Sequence, residues 1–139
     1  MPRDNDMTDV AIDTVIDFSG VPDYEPIAPG TYEATFTGHK FRKARDGASN
    51  ICAMEFTITE DDPDVHGRKV FRNQSMKPES LWALKRAMLA LGTDADAFDG
   101  RLNVDEELGE AHGSQVRIRV TREMVEGTIR NNIADILAE

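Results

Sequence analysis

Between Gly30 and Met76 the chain alternates apolar and polar residues with a period of two in three successive stretches. Such alternation predicts β-strands that bury one face. The first strand starts at Gly30, and a loop covering 38–49 separates it from a second strand at 52–59. A turn rich in aspartate then leads into a third strand at 68–76.

Beyond the third strand the apolar spacing becomes that of a helix. Pro78 and Glu79 favour a helix start, and leucine and methionine recur at helical spacing until Gly92. Trp82 widens the apolar stripe of this helix, so we expect it in the core rather than as a stacking platform. An irregular acidic connection, with a helical turn at 104–108, leads to the last two strands, which are predicted around Val116–Val120 and over 128–137.

The predicted order is therefore three strands, one helix and two strands. A mainly β, five-stranded barrel with its helix between strands three and four is the oligonucleotide/oligosaccharide-binding (OB) fold. The 139 residues are enough for one domain. Residues 1–26 contain many aspartates and three of the prolines and predict an extended acidic arm, whose apolar residues indicate that part of it docks. We therefore expect an arm at 1–26 and an OB-fold domain at 27–139.

The net charge is −10, and it is unevenly distributed along the chain. Residues 1–30 and 91–139 each carry −6, residues 31–60 are neutral, and residues 61–90 carry +2. Taken as a single number, −10 argues against nucleic acid, because phosphates are contacted by Lys and Arg. The distribution changes that conclusion, since it leaves a neutral-to-basic working surface between two acidic segments.

Composition excludes several other classes. No apolar run approaches the roughly 18 residues of a membrane span, and the first residues lack the features of a secretory signal, so we expect a cytoplasmic protein. The single cysteine, Cys52, excludes an internal disulfide. Asp61, Asp62, Asp64 and His66 are more typical of a turn than of a metal site, and Asp94–Gly100 departs from a calcium loop. We expect no enzyme activity, no catalytic residues, no metal and no cofactor.

The strongest local signal is a cluster of cations around one aromatic ring in the loop after the first strand. Lys40, Arg42, Lys43 and Arg45 lie within six residues and flank Phe41. Single-stranded nucleic acid needs cations along its backbone and a flat ring for a base. The alternative interpretation is a solvated loop with Phe41 turned into the barrel.

Further cations fall on the third and fourth strands. Arg117 and Arg119 alternate with inward apolar residues and should face outward. On the third strand the sequence pattern leaves two alternatives for which residues face outward. If Val70 is in the core, Lys69 and Phe71 face out; if Phe71 is in the core, Arg68 and Arg72 do. We favour Phe71 outward and include all of these residues in the candidate nucleic-acid surface. They are Arg68, Lys69, Phe71, Arg72, Arg117 and Arg119.

Several short motifs follow one another in a fixed order over residues 17–133. They are Asp17-Phe18-Ser19-Gly20-Val21, Pro29-Gly30-Thr31-Tyr32-Glu33, Phe56-Thr57-Ile58, Gly67-Arg68-Lys69-Val70-Phe71, Leu81-Trp82, Ala90-Leu91-Gly92, Glu107-Leu108-Gly109 and Asn132-Ile133. In this order and spacing the chain resembles a family of small phage and prophage early proteins, taken to be OB-fold single-stranded DNA-binding or recombination-associated proteins. The resemblance implies a role in phage DNA replication or recombination, within a bacterial host.

Two functions are therefore the main candidates, and a virion structural protein built on a small β-barrel is a third alternative. The first is sequence-independent binding of single-stranded DNA, with no membrane partner and with oligomerisation possible. The second is an acidic adaptor or DNA mimic that binds a DNA-processing enzyme through the arm and the acidic connection. The two are compatible, because an acidic arm can compete with DNA for the basic surface and be displaced when a single strand binds.

Overall fold

The computed structural model describes residues 14–19 and 25–139. Five strands and two α-helices follow in the order β1 (Gly30–Lys43), β2 (Asn50–Ile58), β3 (Lys69–Ser75), α1 (Leu81–Ala90), α2 (Val104–Ala111), β4 (Gln115–Val125) and β5 (Thr128–Ala138). Short 3₁₀ turns, Pro78–Ser80 and Ala95–Phe98, precede the helices. The prediction of a mainly β chain with five strands is confirmed.

All strand pairs are antiparallel and form one sheet with the order β3-β2-β1-β4-β5. The sheet does not close into the predicted barrel, because β3 and β5 form no ladder with each other within the described residues. The two edges are instead bridged by a side chain. Arg72 on β3 donates from Nη1 to the backbone oxygen of Ile133 on β5 at 3.0 Å. We call this junction the seam.

β1 extends much further than expected and includes residues placed in a loop by the sequence pattern. A bulge between Phe36 and Gly38 shifts the register against β2, after which pairing resumes as far as Lys43. The connection to β2 is therefore only residues 44–49. Because a bulge inserts one extra residue, it reverses the side-chain alternation beyond it and conceals the strand from a period-two reading.

Two helices, rather than one, connect β3 to β4. The second, α2, begins at the helical turn expected at 104–108 and extends it to Ala111 within a connection otherwise expected to be irregular. Asn103 caps it, accepting from the Glu106 backbone N–H at 3.2 Å and donating from Nδ2 to the Glu106 carboxylate at 3.0 Å. Three acidic residues in its first turn stabilise the positive end of the helix dipole. Neither helix in the described part of the chain is long and apolar enough to cross a membrane.

The first helix, α1, buries Leu84, Ala87 and Met88 against the core, and Gly92 ends it in the left-handed conformation with φ of 102°. The prediction that Trp82 lies in the core is wrong, since its side chain is 67% exposed. At about 100° per residue, Trp82 lies roughly 200° around the helix from Leu84, on the solvent side of the buried stripe.

The core lies between the inward face of the sheet and the two helices. Its fully buried members include Phe36, Phe56, Met54, Ile118 and Leu108.

The chain enters this core at Ile27, which is buried and exchanges two hydrogen bonds with Asn131 on β5, both 2.9 Å. Residues 14–19 form neither helix nor strand, whereas 1–13 and 20–24 lie outside the described residues. The acidic arm at 1–26, and the domain boundary with it, therefore stay predictions.

Candidate nucleic-acid interface

Phe71 lies on the outward face of β3. Its neighbour Val70 is 3% exposed and belongs to the core, whereas the Phe71 ring is 48% exposed. Consecutive side chains of a strand point to opposite faces, so the burial of Val70 turns Phe71 outward. The favoured alternative for the third strand is thus confirmed.

The Phe71 ring borders a shallow pocket of about 410 Å³ on this face. Its lining is Thr37, Gly38, His39, Lys40, Ala53, Glu55 and Phe71. In the register, Gly38 and Phe71 both lie opposite Glu55, on either side of it. Small residues at 38 and 53 keep the floor low beside the ring. The result is an exposed aromatic face with open space next to it, which is the geometry that base stacking requires.

Glu55 supplies the polar contacts at the centre of the pocket. Its carboxylate accepts a hydrogen bond from the Thr37 hydroxyl at 2.7 Å and lies 3.8 Å from Lys69 Nζ. A carboxylate repels phosphate but can accept hydrogen bonds from the amino groups of a base. The pocket is therefore suited to a base, with phosphates at the surrounding cations.

The cationic run at 40–45 is divided between two faces of β1. Lys40 and Arg42 pair with Ala53 and Ile51 and point outward with the Phe71 pocket. Phe41 and Lys43 point to the opposite side of the strand. The Phe41 ring is 38% exposed and meets His39 edge-on, with centroids 5.6 Å apart. Only part of the predicted cluster therefore adjoins the pocket.

Arg45 lies in the loop between β1 and β2 and reaches the turn between β4 and β5. Its Nη2 atom is 3.3 Å from Glu126 Oε1. Asp46 organises the same loop by accepting backbone N–H bonds from Ala48 and Ser49, and these bonds hold the pKa of its carboxyl well below the usual range. The two loops that flank the outward face are therefore in contact.

The remaining candidates on β3 and before it serve different roles. Lys69 is exposed on the outward face beside Glu55. Arg72 points inward, donates to Gln74 Oε1 from both Nε and Nη2, and has its pKa lowered chiefly by burial. Arg68 donates to the Glu25 backbone oxygen at 2.9 Å. The structure thus places Lys69 with Phe71 and directs Arg72 into the seam.

Arg117 and Arg119 extend the outward face across β1 and onto β4. They pair with Glu33 and Thr31 of β1, and both are exposed. Their outward orientation follows the prediction. Five cations therefore lie on one continuous sheet surface, which we call the outward face. They are Lys40, Arg42, Lys69, Arg117 and Arg119.

Behind the pocket lies a histidine pair that the sequence pattern did not indicate. His39 Nδ1 is 2.7 Å from His112 Nε2, and its Nε2 is 2.7 Å from Asp105 on α2. The His39 side chain is only 8% exposed. This chain of contacts fixes the bulged part of β1 to α2, so it supports the pocket floor. Nothing in the spacing of residues 39, 105 and 112 signals their proximity.

The groups considered for other chemistry take structural roles. Cys52 is fully buried, and burial raises the pKa of its thiol to about 11. Asp62 and Asp94 each accept a backbone N–H two residues ahead, both at 3.0 Å. Within the described ranges no group of three or more His, Cys, Asp or Glu side chains is arranged to hold a metal ion.

No family model matches the chain, and no curated protein matches it. Among solved structures, the chain is similar to one described as yeast RPA bound to ssDNA, with 10% identity and a TM-score of 0.37 over 85% of this chain and 81% of the other.

Proposed function

We propose that this protein binds single-stranded DNA on its outward face, without sequence preference. The observation that carries the proposal is the half-exposed Phe71 ring beside an open pocket, on a surface with five cations. A stacked base contributes about 1–3 kcal/mol and is accepted whatever its identity, because every base has a flat face.

Single strands fit this surface better than duplex DNA. In a duplex both faces of each base are already stacked on neighbours, so the Phe71 ring has nothing to contact. Lys40 lines the pocket, Arg42 follows it on the same face of β1, and Lys69 precedes Phe71 on the same face of β3, where phosphates on either side of a stacked base would pass. Glu55, between them, accepts hydrogen bonds from the base itself.

We further propose that the sheet is an OB barrel left open at one junction. The strand order places β3 and β5 at the two edges, and the Arg72 bridge to Ile133 brings those edges together. An OB fold is a partly open barrel that binds oligonucleotides on the surface around strands two and three and on the loops after strands one and four. The Phe71 pocket lies on that surface, and Arg45 and Glu126 belong to those two loops.

The biological setting follows from the resemblance to phage early proteins. We propose that the protein supports phage DNA replication or recombination in the cytoplasm of a bacterial host. The acidic arm would offer a surface to a replication or recombination protein.

A binding titration tests the proposal directly. The anisotropy of a fluorescently labelled oligo-dT is measured against protein at low salt, for the wild type, Phe71→Ala and Leu89→Ala. Leu89 is an exposed apolar residue of α1 remote from the pocket lining and serves as the matched control. We expect Phe71→Ala to weaken binding about fivefold or more, Leu89→Ala to leave it unchanged, and duplex DNA to bind less tightly. Absence of binding by the wild type at low salt would overturn the proposal.

A further inference from the structure

Trp82 is the single tryptophan of the chain and is largely exposed on α1. Apolar packing does not account for it, because the buried stripe of the helix is carried by Leu84, Ala87 and Met88. An exposed indole of this size presents a large flat surface to solvent, where it can take part in recognition.

The indole forms one wall of a pocket of about 160 Å³ at the seam, between α1 and the edges of the sheet. Three arginines come from different elements: Arg72 from β3, Arg86 from α1 and Arg119 from β4. Asp135 on β5 lies among them. Its Oδ2 atom is 3.0 Å from Arg86 Nη2, and it pairs in register with Arg119.

The charge of this pocket is positive within an acidic protein. Three guanidinium groups face one carboxylate, and Asp135 alone cannot neutralise them. Arg72 is held in the floor by its bonds to Gln74 and Ile133, whereas the Arg86 and Arg119 side chains are exposed. Exposed guanidinium groups bind phosphate oxygens in a bidentate manner.

We propose that this pocket, which we call the Trp82 subsite, binds a second nucleotide of the same single strand, with its base stacked on Trp82 and its phosphate on Arg86 and Arg119. The inference rests on the proposed function and extends it. It predicts two aromatic contacts, at Phe71 and at Trp82, and therefore a longer footprint than the outward face alone provides.

The path between the two contacts is short. Phe71 and Arg72 are consecutive residues of β3, and their side chains point to opposite faces. A strand that leaves the Phe71 pocket across the edge of β3 therefore reaches the seam, where Arg72 forms the floor of the Trp82 subsite. Arg119 belongs both to this subsite and to the outward face. The two sites thus form one surface.

A nucleotide fits this pocket better than an acidic peptide does. On its other side, Trp82 borders a separate groove of about 350 Å³, lined mostly by apolar residues such as Met88, Phe98 and Leu102. An acidic peptide that also carries apolar side chains would bury them in that groove and not in the seam pocket. The seam pocket is smaller and rich in arginine, and it combines the charge and the flat ring that a nucleotide requires.

Because the chain has one tryptophan, indole fluorescence reports on the surroundings of Trp82 and on no other position of the chain. The full-length protein is titrated with oligo-dT of increasing length, following indole emission and, in parallel, the anisotropy of the labelled oligonucleotide. Oligonucleotides long enough to span both aromatic contacts should quench Trp82 emission, whereas the shortest ones that bind should not. Trp82→Ala should weaken binding of long oligonucleotides about fivefold or more and leave short ones unchanged.

Matched variants separate stacking from charge and from loss of fold. Trp82→Phe keeps a ring and should restore most of the affinity, Arg86→Gln should weaken binding of long oligonucleotides, and Leu89→Ala should change nothing. Circular dichroism checks that each variant is folded.

Other outcomes overturn the inference in distinguishable ways. Binding seen by anisotropy with no change in indole emission and no effect of Trp82→Ala refutes the Trp82 subsite but leaves the proposed function. No binding by anisotropy refutes both. A synthetic peptide of residues 9–18 that quenches the indole when long oligonucleotides do not would assign the pocket to a peptide instead.

Discussion

Removing two cations from the outward face should change the salt dependence of DNA binding by a defined amount. Each phosphate contact to a single strand contributes about −0.7 to the slope of log K against log salt concentration. Five cations on this face therefore predict a slope of about −3.5, or a loss of affinity of roughly a hundredfold between 50 and 200 mM salt. The double variant Lys40→Ala, Arg42→Ala removes two contacts and should reduce the slope to about −2.1, or roughly twentyfold over the same range.

The assay needs a control with the same change in net charge. Lys43→Ala with Arg101→Ala also removes two cations, but Lys43 points to the other side of β1 and Arg101 lies between the helices. Long-range attraction to DNA falls equally in the two double variants, so any difference between them reports on contacts. We expect the control to keep a slope close to that of the wild type.

The comparison refutes the structural reasoning if both double variants lower the slope equally. DNA would then sense the total charge of the protein and not the outward face. A lower slope in the control alone would place the strand on the opposite side of β1, with Phe41 and Lys43. An unchanged slope in both would mean that the cations at 40–43 do not contact phosphate.

Two further predictions concern the support of this surface. Arg72→Met removes the donor to the Ile133 carbonyl and to the Gln74 amide oxygen, so it should lower the free energy of unfolding in urea by about 1–3 kcal/mol. The control Lys69→Met, on the exposed side of the same strand, should change that free energy by less than about 0.5 kcal/mol. Equal effects of the two variants would contradict the role of the seam. Burial raises the pKa of the Cys52 thiol from 9.0 to about 11, so the folded state favours the neutral thiol and the wild type should lose more stability than Cys52→Ala as pH rises from 9 to 11. For the same reason iodoacetamide at pH 8 should modify the native protein far more slowly than the unfolded protein. Equal modification rates would contradict the buried position of Cys52.

Simple alternation was enough to locate five strands, but it missed the end of β1 and with it the division of the basic cluster. Before the bulge, Ala34 and Phe36 point inward as their spacing indicates. After it the alternation changes phase, so that Lys40 and Arg42 share a face and Phe41 does not. A bulge depends on the partner strand, and the sequence of β1 alone carries no sign of it. For this reason the sequence pattern predicts one basic surface at residues 40–45, whereas the structure divides these cations between two faces of β1.

Burial of the two key aromatic residues shows a similar contrast. Phe71 could be assigned because its neighbour Val70 needs the core, and a strand allows only two sides. Trp82 was misassigned because a helix allows a continuous range of directions, so a position at the edge of the apolar stripe can face either the core or solvent. Leu81 and Leu89 on the same helix are also partly exposed. The direction of α1 is set by its packing on β3 and β5, which local spacing does not reveal.

The net charge of −10 and a DNA-binding surface are compatible because screening separates them. At physiological salt the Debye length is about 8 Å, so carboxylates on α2, which packs on the inward side of the sheet, act weakly on phosphates bound to the outward face. Glu55 and Asp135 are different, because Glu55 lines the Phe71 pocket and Asp135 lines the Trp82 subsite. Glu55 pairs with Lys69, and Asp135 pairs with Arg86. They reduce the attraction at the two points where bases are proposed to stack. Affinity at these points then depends more on the rings of Phe71 and Trp82 than on charge. It follows that at high salt Phe71→Ala should lower the affinity for oligo-dT more than Arg117→Ala does.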